Sequence, residues 1–157
     1  MEGFTTKKQQ FATVWKMHTA GDAQWYPAQV PGTVYTDLLR NGQMEDPFWK
    51  DNEYRALDLM EKDYEYETAF EGTEAQEGER QWLRFEGLDT ICDIYLNEEK
   101  IGNTYNMHRT WELDVTGKVK AGENILRVYF HSPLEYIKEA YEKQPTHGSE
   151  EIGRAHV

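Results

Sequence analysis

The chain has 157 residues and carries 29 Asp plus Glu against 17 Lys plus Arg, a formal net charge of -12. That length can bury a hydrophobic core in one domain without disulfides or metals, while the charge repels phosphate backbones and anionic membranes, so neither nucleic acid nor a membrane is an expected partner. The lone cysteine, Cys92, lies in an apolar run; it reads as a small buried hydrophobe in a reducing cytosol, and a polar start at Met1-Glu2-Gly3-Phe4 fits a cytoplasmic location.

Val30-Pro31-Gly32 specifies a turn, after which Thr33 caps a short helix through Leu39 that Asn41-Gly42 ends. Asp46-Pro47 makes a second turn. Between stiff backbones it holds out the aromatic pair Phe48-Trp49 and the polar triplet Asp51-Asn52-Glu53. The plainer reading of this loop packs Trp49 on the edge of the fold and makes Asn52 the cap of a helix over Glu53 to Lys62, with Leu57 and Met60 facing inward.

Strand signals follow. From Tyr64 to Phe70 the residues Tyr64, Tyr66, Thr68 and Phe70 fall on one face, with Glu65 and Glu67 on the other, the period of a half-buried antiparallel strand. After a Gly- and Glu-rich turn, 81–85 forms another strand, in which Trp82 and Phe85 are out of strict alternation and suggest a bulge or two-sided burial. Ile91 to Leu96 is nearly all apolar and reads as a central strand covered on both faces, turned by Asn97 to Lys100 into a hairpin. Residues 110–115 alternate, Ala121 to Asn124 turn the chain, and Ile125 to Phe130 form a further strand. Pro133 opens a helix to Glu142 with an apolar stripe of Leu134, Ile137, Ala140 and Tyr141, placed to cap one end of the fold. The tail from Gln144 to Gly153 is the one low-complexity tract. Short strands between turn signals predict an all-β jelly-roll β-sandwich with a few short helices.

Chemistry-bearing motifs are scarce. The acids are too numerous for a catalytic carboxylate pair to stand out. The five histidines are scattered without HExxH or zinc spacing, the serines lie outside any GxSxG elbow, and the glycines form no phosphate cradle. No metal or cofactor is expected. Aromatics make up 13 % of the chain, which suits both a sandwich core and a sugar-stacking surface; composition favours the core.

Six segments together resemble the N-terminal domain of β-mannosidases in glycoside hydrolase family 2: VPGTVYTDLL (30–39), DPFWKDNE (46–53), DYEY (63–66), WLRFEGLDTICDIYLNEEKIG (82–102), NMHRTWELDV (106–115) and AGENILRVYF (121–130). The strand set is common to the β-galactosidase, β-glucuronidase and β-mannosidase branches; the first two segments point to the mannosidase branch. The resemblance implies a galactose-binding-like jelly roll, followed in the parent enzyme by an immunoglobulin-like sandwich and a TIM barrel with two catalytic glutamates. Residues 1–157 are accordingly expected to be one N-terminal domain, lacking its last strands and the catalytic glutamates. An open sheet edge of that kind favours self-association.

By the same resemblance, the parent enzyme removes terminal β-D-mannose from oligosaccharides, and the DPFWKDNE loop borders the sugar subsite. Asn52 is the first candidate for contact with substrate, Asp51 and Glu53 are weaker ones, and Asn106 and Arg109 line the same end or brace the loop. Two alternatives share the scaffold: a stand-alone carbohydrate-binding module using Trp49 or Trp111 with bound calcium, and a support domain of a β-galactosidase- or β-glucuronidase-type enzyme.

Overall fold

In the computed structural model, residues 5–11 and 13–144 are described, apart from the side chains of Glu139 and Ala140. The expected tail from Gln144 lies outside them beyond that first residue.

Among the described residues eight strands and three helices run in the order β1 (Trp15–Thr19), β2 (Tyr26–Ala28), α1 (Val34–Arg40), α2 (Asn52–Met60), β3 (Tyr64–Gly72), β4 (Trp82–Phe85), β5 (Cys92–Leu96), β6 (Glu99–Thr104), β7 (Trp111–Asp114), β8 (Gly122–Phe130) and α3 (Pro133–Lys143). Among the described residues a six-stranded antiparallel sheet has the order β2-β1-β3-β8-β5-β6, and β4 pairs with β7 in a second, two-stranded sheet. The two layers make the expected all-β sandwich.

The period-2 pattern of β3 is realised. Tyr64, Tyr66 and Thr68 are buried, beside Leu126, Val128 and Phe130 of β8 and Cys92, Ile94 and Leu96 of β5. Tyr66 meets Phe130 edge to face at 5.6 Å between centroids, a favoured geometry for aromatic rings. The opposite face of the same sheet carries cross-strand ion pairs, Lys16–Glu67 at 2.7 Å and Arg127–Glu65 at 2.9 Å. β5 therefore has one core face and one half-covered polar face bearing Asp93 and Tyr95, not two apolar faces. Burial pushes the Cys92 thiol up to about 12, so it stays protonated and inert.

The second sheet lies close against the first. A Cβ at Gly102 of β6 would sit 2.9 Å from the Leu113 side chain of β7, which would have to move aside, so glycine here lets that leucine pack closely on the sheet. In β4, Leu83 turns inward and Trp82 outward, 53 % exposed. Simple alternation accounts for this strand, and the four β4–β7 pairs run without a register shift.

Two strands had no counterpart in the sequence reading. β1 pairs with β3 from Trp15↔Thr68 to Thr19↔Tyr64, and the three-residue β2 pairs with β1 across Pro27. Pro27 is tolerated because β2 is an edge strand.

The turn segments are pinned by buried amides and carboxylates. Asn97, in the left-handed region at φ 49°, bonds through Oδ1 to Ile125 N at 3.0 Å and through Nδ2 to Asn124 Oδ1 at 2.9 Å. Asn124 is fully buried and also closes the 120–124 turn on Lys120 and Gly122. α1 begins as the sequence implies: Thr33 caps it through Thr36 N, and the Thr36 hydroxyl returns the bond to Thr33 N. Its fully buried Asp37 accepts from the Tyr66 hydroxyl at 3.0 Å, Gln29 N at 3.1 Å and Arg40 at 3.1 Å, tying the helix to the core face of β3. Burial raises the Asp37 pKa even against those three stabilising contacts. A side chain at Gly32 would overlap the Gln29 carbonyl oxygen, which fixes glycine in this turn.

α3 is preceded by Ser132, whose hydroxyl donates to Met60 O at 2.7 Å while its backbone N donates to Asp63 at 2.6 Å. Those bonds join the end of α2 to the start of α3. The stripe expected to cap the sandwich instead faces solvent: Leu134 is 39 % exposed, Ile137 49 % and Tyr141 50 %.

Candidate functional site

The 46–54 loop is organised by Asp46. Its Oδ1 accepts from Phe48 N at 3.0 Å, and its carbonyl accepts from Trp49 N at 3.1 Å and from Asn52 Nδ2 at 2.9 Å. These bonds bend the chain back on itself, with Lys50 at φ 53° at the apex. The aromatics are thereby turned outward: Phe48 is 92 % exposed, Trp49 65 % and Tyr54 64 %. The plainer expectation, Trp49 packed on the sandwich edge, does not hold.

Asn52 is the first residue of α2. The cap position falls to Asp51, which makes no side-chain capping bond. The Asn52 amide is instead held by Asp46, leaving its Oδ1 and one N–H without a partner among the described residues. It lines an open cleft of about 380 Å³ shared with Gln43, Met44, Glu45, Arg55, Asp58 and Leu59, among others, a volume within the usual range of small-molecule sites, roughly 300–1,000 Å³. Glu45 and Arg55 pair across it at 2.9 Å. Asp51 and Glu53, on either side of Asn52, are exposed.

Asn106 and Arg109 belong to another segment, the 105–110 turn that carries the chain from β6 to β7. Asn106 Oδ1 accepts from His108 N at 2.9 Å, its carbonyl accepts from Trp111 Nε1 at 3.1 Å, and Arg109 stacks over the Trp111 ring at 4.7 Å. Asn106 and Arg109 are both exposed and neither lines the Asn52 cleft.

The sheet nevertheless relates the two segments. Thr19, Tyr64, Phe130, Cys92 and Thr104 form one continuous cross-strand row, and α2 leads into that row at Tyr64 while the turn leaves it at Thr104. Three strand spacings separate the two points, about 15 Å. The structure thus brings Asn52, Asp51 and Glu53 together and sets Asn106 and Arg109 at a second place, reached from the same end of the sheet.

Sequence reasoning passed over Glu45, Arg55 and Tyr105. The first two pair only because α2 folds back along 42–45, a contact with no local signature. Tyr105 had one: it lies immediately beyond the β6 strand, where a large aromatic has no sheet position to occupy. Among the described residues no group of three or more His, Cys, Asp or Glu could hold a metal ion.

Comparison with known proteins gives a consistent result. Residues 15–157 match the glycosyl hydrolase 2 galactose-binding domain-like family. The chain is 33 % identical over 145 residues to a β-mannosidase B of Aspergillus terreus, covering 89 % of this chain and 17 % of that protein. It is 35 % identical over 132 residues to a β-mannosidase of Capra hircus, covering 82 % and 15 %. Among solved structures, the β-D-mannosidase of Dictyoglomus thermophilum superposes with a TM-score of 0.78 at 35 % identity, covering 88 % of this chain and 18 % of that one. The exo-chitosanase of Amycolatopsis orientalis, at 22 % identity and a TM-score of 0.65, shares the fold. The chain spans about one sixth of the length of the curated relatives it matches.

Proposed function

The chain belongs to the glycosyl hydrolase 2 galactose-binding domain-like family, and on that premise we propose that it is the non-catalytic N-terminal domain of a β-mannosidase that removes terminal β-D-mannose from oligosaccharides. Its 46–53 loop borders the sugar subsite. The observation that carries the reading is 33–35 % identity to β-mannosidases over 82–90 % of the chain.

Physical features of the loop support a positioning task. A retaining glycosidase needs two carboxyls about 5–5.5 Å apart, one of them kept protonated by its surroundings. Asp51 and Glu53 stand exposed, where neither is sheltered from water. Asn52 suits recognition better: with its amide fixed by Asp46, the free Oδ1 and N–H can accept from and donate to sugar hydroxyls without first being ordered. The immunoglobulin-like domain and the barrel that carries the reacting glutamates belong, in this proposal, to the rest of a longer protein in the cytoplasm. The partner of the domain is then a β-mannoside held jointly with that barrel.

The test is hydrolysis of an aryl β-mannoside by the purified 157-residue chain and by the full-length protein that contains it. The expected outcome is turnover by the long protein and none by the short one. Turnover by the short chain, or a long protein that cleaves β-galactosides or β-glucuronides in preference, contradicts the proposal.

A further inference from the structure

Six arginines are described, and five are committed to carboxylates: Arg40 to Asp37, Arg55 to Glu45, Arg80 to Asp114, Arg84 to Glu86 and Glu112, and Arg127 to Glu65. Arg109 has no carboxylate partner among the described residues, in a chain where acids outnumber bases 29 to 17. Its guanidinium lies over Trp111 at 4.7 Å. A guanidinium placed over a ring in this way is attracted to the ring face and keeps N–H donors for acceptors from outside.

The seat of this arginine is built in advance. Trp111 is anchored by its indole N–H to Asn106 O at 3.1 Å, and Asn106 Oδ1 holds the turn by accepting from His108 N. The Asn106 amide N–H groups remain as donors. Beside them Tyr105 meets Trp111 at 5.2 Å and 72°, with 62 % of its surface open to water. The turn therefore presents a flat apolar ring next to two sets of donors.

A ligand for this place must be rich in acceptors and have an apolar face. A simple anion satisfies the arginine, but it has no use for the ring and is repelled by the chain's charge of -12. A neutral pyranose satisfies both: its C–H face covers Tyr105 and two neighbouring hydroxyls accept from the Arg109 N–H donors.

We propose that the 105–111 turn is a saccharide platform of its own, on which Tyr105 stacks a neutral sugar ring and Arg109, with Asn106, hydrogen-bonds two adjacent hydroxyls. It shares no residue with the cleft lined by Asn52. The proposal rests on the carbohydrate reading above and adds that this chain contacts sugar directly at a second point, which in an oligosaccharide belongs to a unit beyond the terminal one.

The test is an NMR titration of the 157-residue chain that follows the Trp111 indole N–H, a probe already inside the platform. β-1,4-Mannobiose is expected to shift that resonance and saturate at roughly millimolar concentration. Arg109→Met and Tyr105→Ala should each weaken binding about fivefold or more, at an unchanged melting temperature because both side chains are exposed. Tyr136→Ala, which removes an exposed aromatic of α3, should leave the affinity as it was. The proposal is overturned by glucuronate saturating the site where mannobiose does not, by binding that survives both platform variants, by binding lost in Tyr136→Ala, or by no shift at roughly 100 mM sugar. The last result, alongside mannosidase turnover by the full-length protein, removes the platform and leaves the family reading standing. A saturable shift without such turnover does the reverse.

Discussion

The core face of the six-stranded sheet and the 46–54 loop show how differently one chain uses its aromatic residues. Tyr64, Tyr66 and Phe130 are buried, and the Tyr66 hydroxyl is satisfied by Asp37, a carboxylate brought from α1. Phe48, Trp49 and Tyr54 are held outward by a loop whose hydrogen bonds converge on Asp46. In the sheet, backbone geometry follows side-chain burial; in the loop, backbone hydrogen bonds override it. An average over composition cannot separate these uses, which is why 13 % aromatics suited both a core and a surface and only favoured the core.

That contrast can be broken most forcefully at Tyr66. Tyr66→Ala removes a fully buried ring, its edge contact with Phe130 and the donor to Asp37. A loss of about 3–5 kcal/mol is expected in urea unfolding, a large share of a domain's stability. A loss below about 1 kcal/mol would mean that the core face is not the source of stability.

A smaller and pH-dependent effect is expected at Asp37. Its folded-state pKa is raised above the ordinary carboxyl value, chiefly by burial. A carboxyl raised in this way contributes most below its unfolded pKa and loses that contribution as pH rises from about 4 through its folded value. Asp37→Asn keeps an acceptor for Tyr66 but does not titrate. The stability gap between wild type and Asp37→Asn should narrow from pH 4 toward pH 7 in thermal melts. A gap that widens over that range contradicts the assigned burial effect.

At the other end of the scale, Asn52→Ala removes one partly exposed bond to Asp46. A cost of about 0.5–1 kcal/mol is expected, with the strands untouched.

How much of this was legible in the sequence follows the same division. β3 and most of β8 announced themselves because their two faces differ in polarity, although Gly122 to Asn124, read as a turn, already pair with β3, and Thr33 marked the start of α1 by local chemistry. β1 did not, although Trp15 and Met17 alternate with Lys16 and His18, because the run is only five residues long and its place beside β3 is set by the tertiary fold. β2 was hidden by Pro27, whose tolerance depends on an edge position that only the tertiary fold reveals. In the loop, Asn52 sits one residue further into α2 than a cap because its amide is drawn back to Asp46, six residues earlier. Asp51, Asn52 and Glu53 could be named from the family resemblance, but their separation from Asn106 and Arg109 depends on strand order, which no local pattern encodes.

The most direct test of a sugar-positioning role for the loop is the steady-state kinetics of Asn52→Ala in the full-length protein with an aryl β-mannoside. Loss of one positioned hydrogen bond should lower kcat/KM about tenfold, equivalent to ~1.4 kcal/mol, while the melting temperature stays close to wild type. Unchanged kcat and KM in a folded Asn52→Ala protein would contradict the claim that this loop meets the substrate.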